Sequence, residues 1–266
     1  MAYQPKLPKQ NHNIGRQRPL QDLLLIGSAI LALLFSLYWL LGFAIDKAID
    51  RLSPELEQQW FGHFVTTPAQ SPQQQHLQQL TQSLQQCSTV PYPVKVHFID
   101  QAVANAGVMP GGTMLVYRGL LEKLDSENAL AFVLAHELAH LQHRDHLRGF
   151  GRALVLAVLT STLTGSSNTG QFFLPANEFS LAQHSQQREL AADATALAIL
   201  NCYYGHTGGA EVFFHTMLQQ DVSKLPDWFD SHPKLQLRLD ALHQQRQIHG
   251  YQPGQVTPLP AALAPK

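Results

Sequence analysis

The chain has 266 residues and a formal net charge of −1. That length admits one sizeable core with appendages, and the charge balance offers no basic surface for nucleic acid. Charged residues make up only 14%, well below the roughly 25% of ordinary soluble domains, so part of the chain is expected outside water.

Residues 1–20 are polar and rich in Pro and Gln, the composition of a disordered cytoplasmic N-terminus. Leu23 to Ile45 then carries no charge. At 1.5 Å per residue that run is about 34 Å long, enough to cross the roughly 30 Å hydrocarbon core of a bilayer. A cleavable signal peptide has a shorter apolar stretch and a small-x-small cleavage site; neither is seen, so 21–46 is predicted to be a transmembrane anchor. Lys6, Lys9, Arg16 and Arg18 precede it, whereas Lys47 and Arg51 follow beside Asp46 and Asp50, with no further Lys or Arg until Lys95. The positive-inside rule keeps the N-terminus in the cytoplasm and places the remainder across the membrane. The expected location is a bacterial inner membrane with the domain in the periplasm; a mitochondrial inner membrane fits the same layout.

A folded domain is expected over 47–250. Glu55, Leu56, Trp60, Phe61 and Phe64 suggest a short helix over 54–66, broken by Pro68 and Pro72. In 73–86, Leu77, Leu80 and Leu84 recur at helical spacing among glutamines, which predicts a surface helix packed on one stripe. Cys87 and Cys202 lack the CxxC spacing of a metal knuckle and read as structural, their pairing left open because spacing says nothing about distance. Val94–Ile99 alternates as a half-buried strand. Pro110-Gly111-Gly112 is a turn, Thr113–Tyr117 a second strand, and Gly119–Leu124 a short helix. Ser126 caps the helix that follows. Ala153–Gly165 is apolar but too short to span, so a core or membrane-apposed helix is expected there. Further helices are predicted near 180–200, 209–220 and 233–247. The tail 251–266 has no core-forming pattern and reads as flexible. The fold class is mainly α with a small β-sheet (α+β).

His136 and His140 lie four residues apart with Glu137 between them. On a helix they project from one face, where two imidazoles grip one metal ion and the carboxylate reaches a water beside it. The bland alternative is an amphipathic helix with two surface histidines. Phe132, Val133, Leu134, Leu138 and Leu141 oppose it, because they cover most of the circumference and a helix apolar nearly all round is buried. Buried His and Glu need partners. For a third ligand, Glu189 and Asp193 share a face of an Ala/Leu-rich helix: Glu189 can bind metal while Asp193 takes the other ring nitrogen of a ligating histidine. Asp145, Glu178, His143 and His146 are the remaining rivals, the two histidines following the motif too closely to share its face.

The order His136-Glu137-Leu-Ala-His140, Glu189-x-x-Ala-Asp193, then Ser231-His232-Pro233 with Arg238 resembles the zinc metallopeptidases related to the CAAX prenyl endopeptidase, a family with the HtpX and BepA proteases. Asn105-Ala-x-x-x-Pro-Gly-Gly before a strand matches it too. The resemblance, over about 55–247, implies a gluzincin-like domain with one zinc ion held by His136, His140 and Glu189. It makes Glu137 the general base, Asp193 a support for a ligand, and His232 an oxyanion stabiliser or a cap on the resting metal. It assigns Thr113, Met114, Leu115, Val116 and Tyr117 to a strand that aligns substrate by accepting a peptide at an open edge. The chain differs from multi-spanning members in having a single anchor. The implied function is hydrolysis of peptide bonds in polypeptide substrates, in quality control of misfolded or membrane and envelope proteins. The rivals are a chaperone-like binder of unfolded chains with a latent or structural zinc, and a membrane scaffold with no zinc.

Overall fold

Proline punctuates the first third of the chain. Helices α1 (Pro19–Arg51), α2 (Pro54–Phe61) and α3 (Pro72–Gln85) each start on a proline, where the missing N–H costs no hydrogen bond and the fixed φ suits the first turn. Ser53 and Ser71 cap α2 and α3 by accepting from the amides of Leu56 and Gln74. This computed structural model describes residues 18–62, 71–164, 186–211, 214–215 and 235–263. Strands β1 (Lys95–Ile99), β2 (Ala106–Met109) and β3 (Thr113–Tyr117) follow. Next come the short α4 (Arg118–Leu121), α5 (Glu127–Gln142), α6 (Asp145–Thr164), α7 (Gln186–Tyr204) and α8 (Leu235–His249). The fold is thus mainly helical with one small sheet, as its periodicities imply. The expected disorder of the first residues and the 209–220 helix fall largely or partly outside the described residues.

The sheet runs in the order β1-β3-β2, with β3 parallel to β1 and antiparallel to β2. β3 is therefore central, and all five of its residues are buried. Both its edges carry ladder bonds, so no peptide can be added to Thr113–Tyr117, and the expectation of an open edge there is corrected. Local alternation reveals a strand but not its neighbours. β2 and β3 meet through a turn in which Gly111 and Gly112 have φ of 86° and 80°, conformations that glycine adopts without strain.

The outer edge of β1 is closed by side chains rather than by a strand. The Gln85 amide donates to Tyr92 O and accepts from Val94 N, that of Gln78 donates to Val94 O and accepts from Val96 N, and that of Gln74 donates to Val96 O and accepts from Phe98 N. Three glutamines of α3 thereby reproduce a ladder along β1. Each bond nets about 1 kcal/mol and covers an edge that would otherwise template aggregation. The other face of α3 puts Leu77, Leu80 and Leu84 into the core. β2 is the other edge strand of the sheet, and there the Ala106 amide donates to Asn105 Oδ1.

α5 is buried along its length, from Asn128 to Leu141, between the sheet, α3 and α7. Cys87 and Cys202 form a disulfide with their Cα atoms 5.9 Å apart, pinning α7 to the end of α3. Residues 251–263 are not loose. Thr257 O accepts from Glu127 N, Thr257 N donates to Asn128 Oδ1, and Leu263 is buried. The segment thus serves orphan groups at the start of α5, which apolar patterning could not anticipate.

Glu57 of α2 is a further anchor point. Its buried carboxylate accepts from Tyr92 Oη (3.0 Å), Gly111 N (3.1 Å) and His146 Nε2 (2.8 Å), with Arg144 Nη2 at 3.4 Å. Burial pushes its pKa up, but the bond and charge of His146 and the other donors outweigh it and hold the group at about 2. A folded-state pKa below the unfolded value stabilises above about pH 4.5 and is lost as pH falls toward 2. The full contribution is about 3 kcal/mol. Glu57→Gln should therefore lower stability at neutral pH and flatten the acid limb between pH 4.5 and 2, as followed by urea melts across pH; an unchanged acid limb would contradict the assignment.

Candidate metal centre

Three helices build the centre: α5 brings His136, Glu137 and His140, α7 brings Glu189 and Asp193, and α8 brings Arg238. All six are buried. His136 Nε2 and His140 Nε2 lie 3.0 Å apart. Glu189 Oε2 is 3.5 Å from the first and Oε1 3.4 Å from the second. These atoms form one cluster of metal-ligating type among the described residues.

The opposite ring nitrogens are held by carboxylates. Asp193 Oδ1 is 2.9 Å from His136 Nδ1, and Asp145 Oδ2 is 3.1 Å from His140 Nδ1. A carboxylate accepts, so each Nδ1 donates, which fixes the tautomer and turns both Nε2 lone pairs toward the same spot. Two lone pairs at 3.0 Å repel unless a proton or a cation stands between them. Two imidazole nitrogens and a carboxylate are the donor set of catalytic zinc, so the residues fit that ion.

Arg238 locks the carboxylates. Its Nε and Nη2 donate to the two oxygens of Asp193, both at 2.7 Å, and Nη1 lies 3.1 Å from Glu189 Oε2. The guanidinium also stands 5.1 Å over the Phe214 ring. Burial raises the Asp193 pKa, but the charge and hydrogen bonds of Arg238 outweigh it and hold the carboxyl below its usual range.

The rival ligands are placed elsewhere. His143 Nε2 is 3.1 Å from Thr195 Oγ1, and His146 reaches Glu57 and His140 O. Asp145 backs His140 instead of facing the shared spot. Glu178 and His232 lie outside the described residues, and Thr113–Tyr117 lies within the sheet. Sequence reasoning left Asp145 as one rival among several and gave Arg238 no role. A signal existed for Arg238: it stands among Leu235, Leu239 and Leu242 on one helical stripe, and a cation on an apolar stripe implies a buried anionic partner.

A match to peptidase family M48 covers residues 71–246. The chain belongs to peptidase family M48. It is 27% identical over 156 residues to the mitochondrial metalloendopeptidase OMA1 of Schizosaccharomyces pombe, covering 56% of this chain and 46% of that protein. To the human mitochondrial metalloendopeptidase OMA1 it is 25% identical over 171 residues, 55% of this chain and 31% of the relative. A protease HtpX homolog of Aquifex aeolicus is 35% identical over 94 residues, 34% of this chain and 28% of that protein. The chain thus matches less than half the length of each of these relatives. The resemblance drawn from the motifs holds at the level of the M48 family, and the centre described here lies inside the matched region.

Without metal, a proton is the cation available to this M48 centre. Burial pushes the His140 imidazole down, but the hydrogen bonds of Asp145 and Glu189 and the charges of Glu189 and Glu137 outweigh it and raise the pKa to about 10. Metal entering the site must displace that proton, so affinity for zinc should rise about tenfold per pH unit below pH 10, with one proton released. Titration calorimetry in buffers of different ionisation heat measures this, and a pH-independent affinity between pH 6.5 and 8.5 would contradict it. Asp145→Asn should weaken zinc binding about 10- to 100-fold.

Proposed function

We propose that the chain is a membrane-anchored, zinc-dependent endopeptidase acting on polypeptide substrates. The observation that carries this reading is the buried His136, His140 and Glu189 set with Glu137 beside it, on a domain of family M48. Zinc, when bound, supplies a Lewis acid that acidifies a water and polarises a peptide carbonyl. His136 and His140 present neutral Nε2 donors, each held in place from behind by a carboxylate. Glu189 adds a negative donor, and Arg238 fixes its orientation through Oε2. Glu137 takes the proton from the attacking water and returns it to the leaving amine. His232, by family resemblance, stabilises the developing oxyanion.

Substrate is proposed to lie along β2. With β3 central and β1 covered by glutamines, β2 is the remaining edge strand for an extended peptide to pair with, and it packs against α5. α1 is long and apolar enough to cross a membrane, and it serves as the anchor, with 47–250 as the peptidase domain. The Cys87–Cys202 disulfide supports an oxidising compartment for that domain, in keeping with the charge flanks and the bacterial periplasm; a mitochondrial inner membrane has the same support. Misfolded membrane or envelope proteins are the proposed substrates. A purely chaperone-like role would have no use for Glu137 at the metal.

Glu137→Gln should keep zinc and fold but lose cleavage of an unfolded protein such as casein by about 10²- to 10⁴-fold. Cleavage at the wild-type rate by the purified variant would overturn the role given to Glu137.

A further inference from the structure

α6 runs back along α1 instead of packing only on the domain. Arg148 Nη2 meets Asp50 Oδ1 and Arg152 Nη2 meets Asp46 Oδ2, both at 2.8 Å. Between them a Cβ added to Gly151 would stand 2.5 Å from Ile45 Cγ2. These contacts set an antiparallel register in which each turn gained along α6 is a turn deeper into the apolar run of α1. The surface of α1 records how far the pairing extends. Ile49 and Gly42 are buried, and Ile45, Leu41, Tyr38 and Leu34 are half-buried, a stripe at helical spacing on a helix otherwise mostly exposed. At the register of the two ion pairs, the end of α6 at Thr164 comes level with Leu34.

We propose that the second half of α6, Ala153–Thr164, is immersed in lipid beside α1, so that the chain meets the membrane through two packed helices. This rests on reading α1 as the membrane span. If α6 and the part of α1 paired with it both stood in water, only Leu23–Leu34 would remain to cross, about 18 Å against a hydrocarbon core of about 30 Å. The whole run to Ile45 is needed to span, and the half of it nearest the domain is the half that α6 lies against. Ala153–Thr164 contains no charged residue. Leu154 and Val158, one turn apart, are 47% and 55% exposed, a face suited to acyl chains. The boundary is marked as well. Arg148, Arg152, Asp46 and Asp50 form a charged band, and Leu56 and Trp60 are exposed on α2, where Trp is favoured at the membrane–water interface. The Phe61 ring stands 5.8 Å from that of Phe150, which places α2 against the first turns of α6. Asp145, which holds His140, is then about 10 Å along α6 from Arg152, and the metal centre stands just outside the hydrocarbon.

The chain's two cysteines are joined in the disulfide, so one introduced cysteine is a unique labelling site. Full-length Leu154→Cys and Val158→Cys, with Leu31→Cys in α1 and Ile248→Cys in α8 as references, are labelled with a nitroxide and reconstituted in phosphatidylethanolamine–phosphatidylglycerol vesicles. Power saturation then compares collisions with oxygen and with a nickel chelate. Positions 154 and 158 should favour oxygen as position 31 does, with 158 about 6 Å deeper than 154. Nickel preference at 154 and 158 like that at 248, while 31 still favours oxygen, would overturn the inference and leave the anchor intact. Nickel preference at 31 itself would overturn the anchor reading and this inference together. Because the two α6 positions are exposed and independent, either one that folds decides the matter.

Discussion

Two imidazole nitrogens aimed at one another across 3.0 Å are the constraint from which the rest of this structure can be read. Helical spacing puts His136 and His140 on the same face, but spacing alone would let the rings swing apart. Asp193 and Asp145 prevent that by accepting from each Nδ1. They place two lone pairs in a buried space, with a third donor from Glu189. Lone pairs so aimed repel unless a cation stands between them, and the three donors are of the kind that zinc takes. Arg238 keeps the assembly of acids from repelling itself apart, with two hydrogen bonds to Asp193 and an ion pair with Glu189.

The same turn that supports the centre also ties it to α1. Arg144, with φ of 61°, ends α5 in the left-handed region, and its Nη1 donates to Ile49 O at 2.8 Å and Leu52 O at 2.7 Å. Ile49 O also accepts from Leu52 N, and Leu52 O lies just past the end of α1; a cation there suits the helix dipole. Asp145 holds His140, and His146 holds Glu57 of α2. Three consecutive residues therefore connect the candidate metal ligands, the end of α1 and the turn between β2 and β3. The helix that carries the candidate metal ligands is thus tied to α1 through polar contacts, which is what gives the depth proposed for α6 a bearing on the centre.

Much of this was legible in the sequence, and the exceptions share a cause. The HExxH helix, the shared face of Glu189 and Asp193 and the apolar α1 follow from periodicities along single elements, which sequence displays directly. The place of β3 in its sheet is a relation between elements, and alternation is the same in a central strand as in an edge strand. The glutamines of α3 looked like a polar surface because their role depends on a strand that comes later in the chain. Glu57 looked like an ordinary residue of a short helix, and residues 251–263 like a tail, since their partners lie far along the chain and leave no trace in composition. Cys87 and Cys202 were visible, but not their proximity.

Zinc K-edge X-ray absorption on the purified, full-length chain tests the central claim most directly, because it reads the donor atoms without relying on activity. The account predicts about one zinc per chain, with two imidazole nitrogens and oxygen donors at about 2.0–2.2 Å. A chain that takes up no zinc, or zinc bound without imidazole, would contradict it.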